Sequence, residues 1–509
     1  MPKESVKHLP VLGRQGDRLK AKLAARQSSD LVFAVVGYLG SGASLVARLL
    51  SEQANVLGFT PLKIELSRKI AERSGIPLHE PASIARTRSL QDGGDELRKK
   101  YGASFVAGLG INQIYEIRQQ VDEARPRLFI IDSLKHQAEV EILREIYGSS
   151  FYLIAVVCNE STRKGRLRKK FKHEPPGQDS EVLNALMKDD RKGAEDFGQQ
   201  VRKTSQLADF FIANEDQDEE GLATQLDRFL LAVTGREVVR PTRDERGMHA
   251  AWSASLRSSC MSRQVGAAIV GPNGELLATG TNDPPAPGGG VYQVGSEPDH
   301  RCFKWPGDQQ RSYCRNDRAK QDIYKEVYTV MNEAGLLSAT NPEAIARALG
   351  STRIGALIEF SRAIHAEMDA LLQIARHGGG IPKQTSLFGR VYPCHSCARH
   401  IVAAGIAEVV YIEPYDKSMA IELHADAIRE VSVPKTTADD DTRVIFRLFS
   451  GVAPRRYAAL FEKRRDLKDA RGALIQVEQA PGHTDPVLTG SFLDLEKELA
   501  ADVQAALDS

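Results

Sequence analysis

Two apolar runs, LVFAVV at 31–36 and VGAAIV at 265–270, each begin a new strand-led segment, and the polar stretch GREVVRPTRDERG (235–247) between them reads as a linker. A chain of 509 residues exceeds the roughly 250–300 at which a single core stops growing, so it must divide. The pattern predicts a domain over 1–240, a second over 245–465 and a C-terminal tail with a helix over 466–509. Both domains read as α/β. A net charge of +1 argues against a surface built wholly for polyanions, although a local basic patch is compatible with it. No stretch approaches the ~20 apolar residues that span a bilayer, and residues 1–20 lack an apolar signal core. The expected setting is therefore cytoplasmic, with no membrane partner. Six cysteines are too sparse for a disulfide scaffold, which leaves thiols or metal ligands.

In the first segment, the strand ending at Gly37 runs into GYLGSGAS and then a helical pattern of Leu45, Val46, Leu49 and Leu50. Further buried strands are expected at Leu128–Ile131, ending at Asp132, and at Phe151–Val157, with helical patterns between. Alternation of this kind predicts a parallel sheet. Gly37, Gly40, Gly42 and Ser44 stand where G-x-x-x-x-G-K-[ST] would cradle phosphate, and Asp132 stands like the acid that helps hold magnesium. Ala43 occupies the lysine position. Without that cation, nucleotide sensing or a structural role is easier to support than phosphoryl transfer. The run NESTRKGRLRKKFKH (159–173) carries seven cations and has three readings: a lid over phosphates, a solvated basic helix, or an RNA contact.

The second segment adds a helix (248–258), a hairpin turned at GPNG (271–274), an irregular insertion (283–353), and then helix, strand, helix and strand from 362 to 413. Within it, His365-Ala366-Glu367 and Pro393-Cys394-His395-Ser396-Cys397 match the H-x-E…P-C-x-x-C pattern of zinc deaminases. The spacing has a chemical reason. Cysteines three apart at a helix N-terminus direct two sulfurs to one side, where backbone N–H groups favour thiolates. With His365 they make three ligands, leaving the fourth tetrahedral position for water, whose pKa zinc lowers to about 7. Glu367 is the candidate proton carrier. A closed structural site in which His395 or another group supplies a fourth ligand is the alternative. In the insertion, His300, Cys302 and Cys314 are candidates for a second, structural zinc, with buried free thiols as the alternative.

The motifs MHAAWSASLRSSCMSRQVGAAIV (248–270), GTND (280–283), HAEMDALL (365–372), PCHSCARHIVAAGI (393–406) and VVYIEPYDKS (409–418) resemble deoxycytidylate deaminase. That resemblance implies a cytidine-deaminase-like α/β/α sandwich on a five-stranded sheet, a homo-oligomer (a hexamer among the options), and a deoxycytidine nucleotide substrate. It also implies that Asn282 hydrogen-bonds the sugar and that Arg263, Gln264, Val265 and Tyr415 line the nucleotide pocket. The alternatives are a turn-shaping Asn282 and a packing Tyr415. A P-loop kinase-like domain ahead of such a deaminase resembles the bacterial anti-phage dCTP/dCMP deaminases. This second likeness implies depletion of the deoxycytidine nucleotide pool, with an inhibitory RNA or a nucleotide as effector. The rival expectations are a housekeeping dCMP deaminase and an RNA- or DNA-editing enzyme. The latter is disfavoured by 6% aromatic content without basic-aromatic interleaving.

Overall fold

The computed structural model describes residues 27–77, 83–120, 125–172, 187, 197–215, 218–304, 312–337, 341–415, 418–431, 441–463, 466–475, 490 and 492–508. The chain forms two units. Unit one is Met1–Arg240 together with Ala458–Ser509, and unit two is Pro241–Tyr457.

In unit one, β1 (Leu31–Gly37) lies between β3 (Arg127–Leu134) and β4 (Phe151–Val157). Outside β3 lies β2 (Thr60–Glu65), and outside β4 lies β5 (Phe210–Ala213); all these pairings are parallel. β1 and β4 are buried at every position, as strands covered on both faces must be, which is why they read as unbroken apolar runs. β2 is half exposed and contains Pro61, so it gave no such signal. Seven helices of this unit matter here: α1 (Ala43–Val56), α2 (Leu66–Ser74), α3 (Ile84–Tyr101), α4 (Phe105–Gln120), α5 (Gln137–Tyr147), α6 (Glu160–Lys170) and α7 (Glu219–Thr234). Phe229 of α7 stacks on Phe210 at 4.4 Å, closing one side of the sheet.

The expected tail is part of this unit. Its helix, numbered α13 below (Leu493–Asp508), follows a buried Phe492 and packs on α4. The spacing of the tail predicts an apolar stripe at Phe492, Leu495, Leu499 and Val503. The buried positions are instead Phe492, Glu496, Ala500 and Val503, while Leu495 is 43% exposed. The reason is electrostatic: Glu496 is completely buried because Arg118 meets it at 3.1 Å, and Arg118 also holds Asp30. Burial pushes the Glu496 carboxyl above its ordinary range, against the pull of Arg118.

In unit two, α8 (Arg243–Ser255) starts inside the expected linker. Thr242 and Glu245 form a reciprocal capping box, and the buried Glu245 also accepts from Val452 N at 2.8 Å, so the polar residues of 242–245 begin a helix. The sheet runs β7 (Leu276–Thr281), β6 (Gly266–Val270), β8 (Ser386–Val391), β9 (Glu408–Glu413), β11 (Val444–Leu448), β10 (Ile428–Glu430). It has six strands, not the five implied by resemblance, the additional one being the three-residue β10. β7 and β8 pair antiparallel with β6, and the remaining pairs are parallel.

Two glycines show how helices cover both faces. A Cβ on Gly266 would lie 2.1 Å from Ala251 O of α8, and one on Gly280 would lie 2.0 Å from Ala366 O of α11 (Ala366–Arg376). Gly280 pairs with Ala267, the neighbour of Gly266, so the two close approaches lie on opposite faces. The result is an α/β/α sandwich. The insertion holds α9 (Arg315–Glu333) and α10 (Pro342–Gly350); its 305–311 stretch lies outside the described residues.

Candidate active site

α11 begins one residue after His365, not at Arg362, with His365 as its N-cap. α12 (His395–Ala403) begins after Cys394, whose sulfur caps it by accepting from Cys397 N at 3.4 Å. Two helix N-termini therefore converge with their caps facing each other. His365 Nδ1 lies 3.4 Å from Cys394 Sγ and 3.3 Å from Cys397 Sγ. Those separations approach the ~3.5 Å edge of a tetrahedron built from normal Zn–N and Zn–S bonds.

Among the described residues, His365, Cys394 and Cys397 are the one group of three or more His, Cys, Asp or Glu side chains close enough to share a metal ion. Neither His395 nor Glu367 belongs to that ligand group, so the closed-site alternative finds no fourth ligand there. Glu367, only 6% exposed, brings Oε2 to 3.7 Å from Cys397 Sγ. It stands beside the ligand set without joining it.

The electrostatics fit a cation site. The Cys394 thiol is pulled down to about 4, first by its hydrogen bond with Cys397 and then by His365. Cys397 is pushed up because it shares that proton. The imidazole of His365 rises to about 9 through its bond to Cys394, and burial pushes Glu367 upward. Three donors gathered around one point, with protons divided among them, make the arrangement a metal relieves by displacing those protons.

The positions expected to bind substrate gather on one loop system. Asn282 accepts from Val265 N at 2.7 Å and donates to Arg263 O at 2.8 Å, so both ends of its amide shape the 263–265 turn. Gln264 is tied to Ser258 O, and Arg263 pairs with the buried Glu413. Tyr415 ends the described part of its loop, since residues 416–417 lie outside it. The far side of that loop is fixed by Ser418 Oγ donating to Pro393 O at 2.8 Å, directly before Cys394. Sequence reasoning missed Asp369, which accepts from Thr281 N at 3.0 Å and locks α11 onto β7, and Glu413, which also takes Arg390 at 2.6 Å. Both are acids inside apolar patterns, a usable signal for a buried partner.

The second metal set does not assemble. His300, Cys302 and Cys314 form no cluster; Cys314 stands at the N-cap position of α9 without a side-chain capping bond, and its sulfur lies 3.6 Å from Ser262 Oγ. All six cysteines are free.

In unit one, Gly37, Gly40, Gly42, Ser44 and Asp132 line one cleft of about 470 Å³. Asp132 pairs with Lys63 at 3.2 Å. Of the basic run, Arg163 is buried against the Tyr38 ring and Arg166 donates to Ser41 O and Asn214 O. Two of its seven cations thus hold the glycine loop, which removes them from any solvated face.

Residues 241–413 match the family model of the cytidine and deoxycytidylate deaminase zinc-binding region. With the His/Cys/Cys group, that match makes unit two a zinc-dependent deaminase domain, a hydrolase that fits catalytic zinc. The chain is 29% identical over 178 residues to the deoxycytidylate deaminase of Enterobacteria phage T4, covering 33% of this chain and 76% of that protein. It is 26% identical over 189 residues to a UPF0200 protein of Saccharolobus islandicus, covering 37% of this chain and 87% of that protein. Among solved structures, the dCMP deaminase of cyanophage S-TIM5 in complex with dCMP and dUMP is 20% identical, with a TM-score of 0.24, over 41% of this chain and 98% of that one. No helix among the described residues is long and apolar enough to cross a membrane.

Proposed function

We propose that unit two hydrolyses the 4-amino group of deoxycytidine nucleotides, dCMP or dCTP, to the deoxyuridine forms. One observation carries this reading: three convergent ligands with no fourth among the described residues, and a buried carboxylate beside them, in the segment that matches the deaminase family. His365, Cys394 and Cys397 would hold a zinc ion, whose chemistry there would be to acidify a water. Glu367 takes a proton from the attacking water and passes protons to ring N3 and to the departing amine. The C4–N bond breaks, C4=O forms and ammonia leaves.

The turn at Arg263, Gln264 and Val265, braced by Asn282, and the loop carrying Tyr415 frame the nucleotide. In this reading Asn282 acts mainly by holding that turn, since its amide is already engaged. The names of the phage relatives favour dCMP as the first substrate to test. We further read unit one as a P-loop-like regulatory domain, supported by its parallel strand order and glycine loop. The joining of the two units supports an anti-phage role in the cytoplasm through depletion of deoxycytidine nucleotides. That role carries with it a homo-oligomer and a nucleotide or RNA effector.

The deciding experiment measures ammonia release from dCMP, dCTP, cytidine and a cytosine-containing oligonucleotide, with Glu367→Ala as control. Turnover of dCMP or dCTP that vanishes in the variant supports the reading and selects the substrate. Reaction with the oligonucleotide alone replaces it with an editing enzyme.

A further inference from the structure

We propose that unit one binds a nucleotide in the cleft at the carboxyl ends of β1 and β3, where Lys135 and Lys170 supply the positive charge that the glycine loop lacks at Ala43. The proposal deepens the reading of unit one as P-loop-like and is independent of the deaminase reaction.

Position is the first argument. The connection out of β1 leads past β3 to β2, whereas the connection out of β3 leads past β1 to β4, so the two diverge between these adjacent strands, and open parallel sheets take their ligands at the carboxyl ends of strands at such a switch point. The cleft of about 470 Å³ lies there and falls within the usual range for small-molecule sites of about 300–1,000 Å³.

The loop is preformed. Gly42 has φ +89, and a Cβ there would lie 2.2 Å from Asn214 Nδ2. Asn214 and Arg166 donate to Ser41 O at 2.7 and 3.2 Å, tying that carbonyl down, and Arg166 itself lines the cleft. No side chain caps the 14-residue helix α1, so its first N–H groups suit an anion.

Cations arrive from two other elements. Lys135, directly after β3, donates to Gly37 O at 2.8 Å and lines the cleft. Lys170, the last residue of α6, lines it too and has no acidic partner among the described residues. Burial, and after it the nearby charges of Arg86 and Lys135, push the Lys170 ammonium below its ordinary range. Cations gathered in this way are relieved by a bound anion. The acid on the cleft wall, Asp132, is already engaged by Lys63.

The remaining lining distinguishes a nucleotide from a bare phosphate. Gln199 is 6% exposed, and its side-chain carbonyl has no hydrogen-bond partner among the described residues. It lines the cleft beside Lys135, whose carbonyl accepts from Gln200 N at 2.8 Å. A buried acceptor of this kind calls for a donor, which a sugar hydroxyl or a base amino group provides. Leu66, Ile70 and Leu90 give the same cleft an apolar wall suited to a ring.

The test is calorimetric titration of the full chain with ATP, GTP, dTTP and inorganic phosphate, ligands that have no cytosine for the deaminase pocket. At least one nucleotide should bind, tenfold or more weakly in each of Lys135→Met and Lys170→Met, with zinc content and circular dichroism unchanged. Lys170→Met guards against a folding defect from losing the Gly37 contact, and Gln199→Leu should weaken the nucleotide more than phosphate. No binding of any nucleotide at millimolar concentration overturns the proposal, as does binding indifferent to both lysines. Phosphate bound as tightly as every nucleotide, and in a lysine-dependent way, overturns the nucleotide while leaving a phosphate loop in place.

Discussion

Each unit places its chemistry where a helix begins, and the two distribute that chemistry along the chain differently. In unit two the caps are themselves the functional groups: His365 precedes α11 and Cys394 precedes α12. In unit one the cap is Gly42, which has no side chain to offer, and the charges come from the end of β3 and the end of α6. A site made of caps appears as a local motif. A site assembled from several strand and helix ends leaves only fragments in the sequence, of which GYLGSGAS is one.

The contrast can be tested by perturbing each unit alone. The largest effect is expected from Cys394→Ser or Cys397→Ser. Zinc measured by mass spectrometry should fall from about one per chain to near none, and ammonia release should be lost with it. Retention of metal and turnover would remove the ligand assignment. Glu367→Ala should keep its zinc and lower kcat by about 10²–10⁴-fold, because a proton carrier is lost and no ligand is.

In unit one, Phe492→Ala should cost about 3–5 kcal/mol in chemical denaturation, since Phe492 is 2% exposed and sits under Arg118 and beside Tyr147. Its zinc content should stay unchanged, which tests whether the units are energetically separate. Gly42→Ala should cost about 1–3 kcal/mol through its left-handed backbone and the approach of Asn214.

The smallest expected effect concerns pH. Hydrogen bonding to Arg301 holds the Asp299 carboxyl well below the usual carboxylate range. A depressed acid contributes stability that is present above its unfolded pKa and is lost as pH falls through its folded one. Asp299→Asn should therefore be less stable than the parent near neutrality, and unfolding curves of the two should converge in strong acid.

Legibility followed physical principle. β1 and β4 were readable because burial on both faces forces continuous apolar runs, and His365, Glu367, Cys394 and Cys397 because their spacing is dictated by helix starts. Thr242–Glu245 was read as linker because capping residues are polar, and polar runs also make loops. On α13, Leu495 was preferred to Glu496 because an isolated sequence does not reveal Arg118 waiting on α4. Lys135 carries no signal of its own, since nothing local distinguishes a lysine after a strand. A cation just beyond an acid-ended strand, in a chain whose glycine loop lacks its own, is the pattern that would have flagged it.

The return of the chain to unit one has a consequence during synthesis. Phe492 and Glu496 leave the ribosome after all of residues 241–457, so Arg118 waits for one of its two carboxylate partners while unit two is being made. At about 5–20 residues per second, that wait from residue 240 onward is roughly 12–50 s. The inserted unit is made during the interval, whereas the earlier-made unit still lacks the helix that packs on α4. Unit one, first to be translated, is thus the last to be finished.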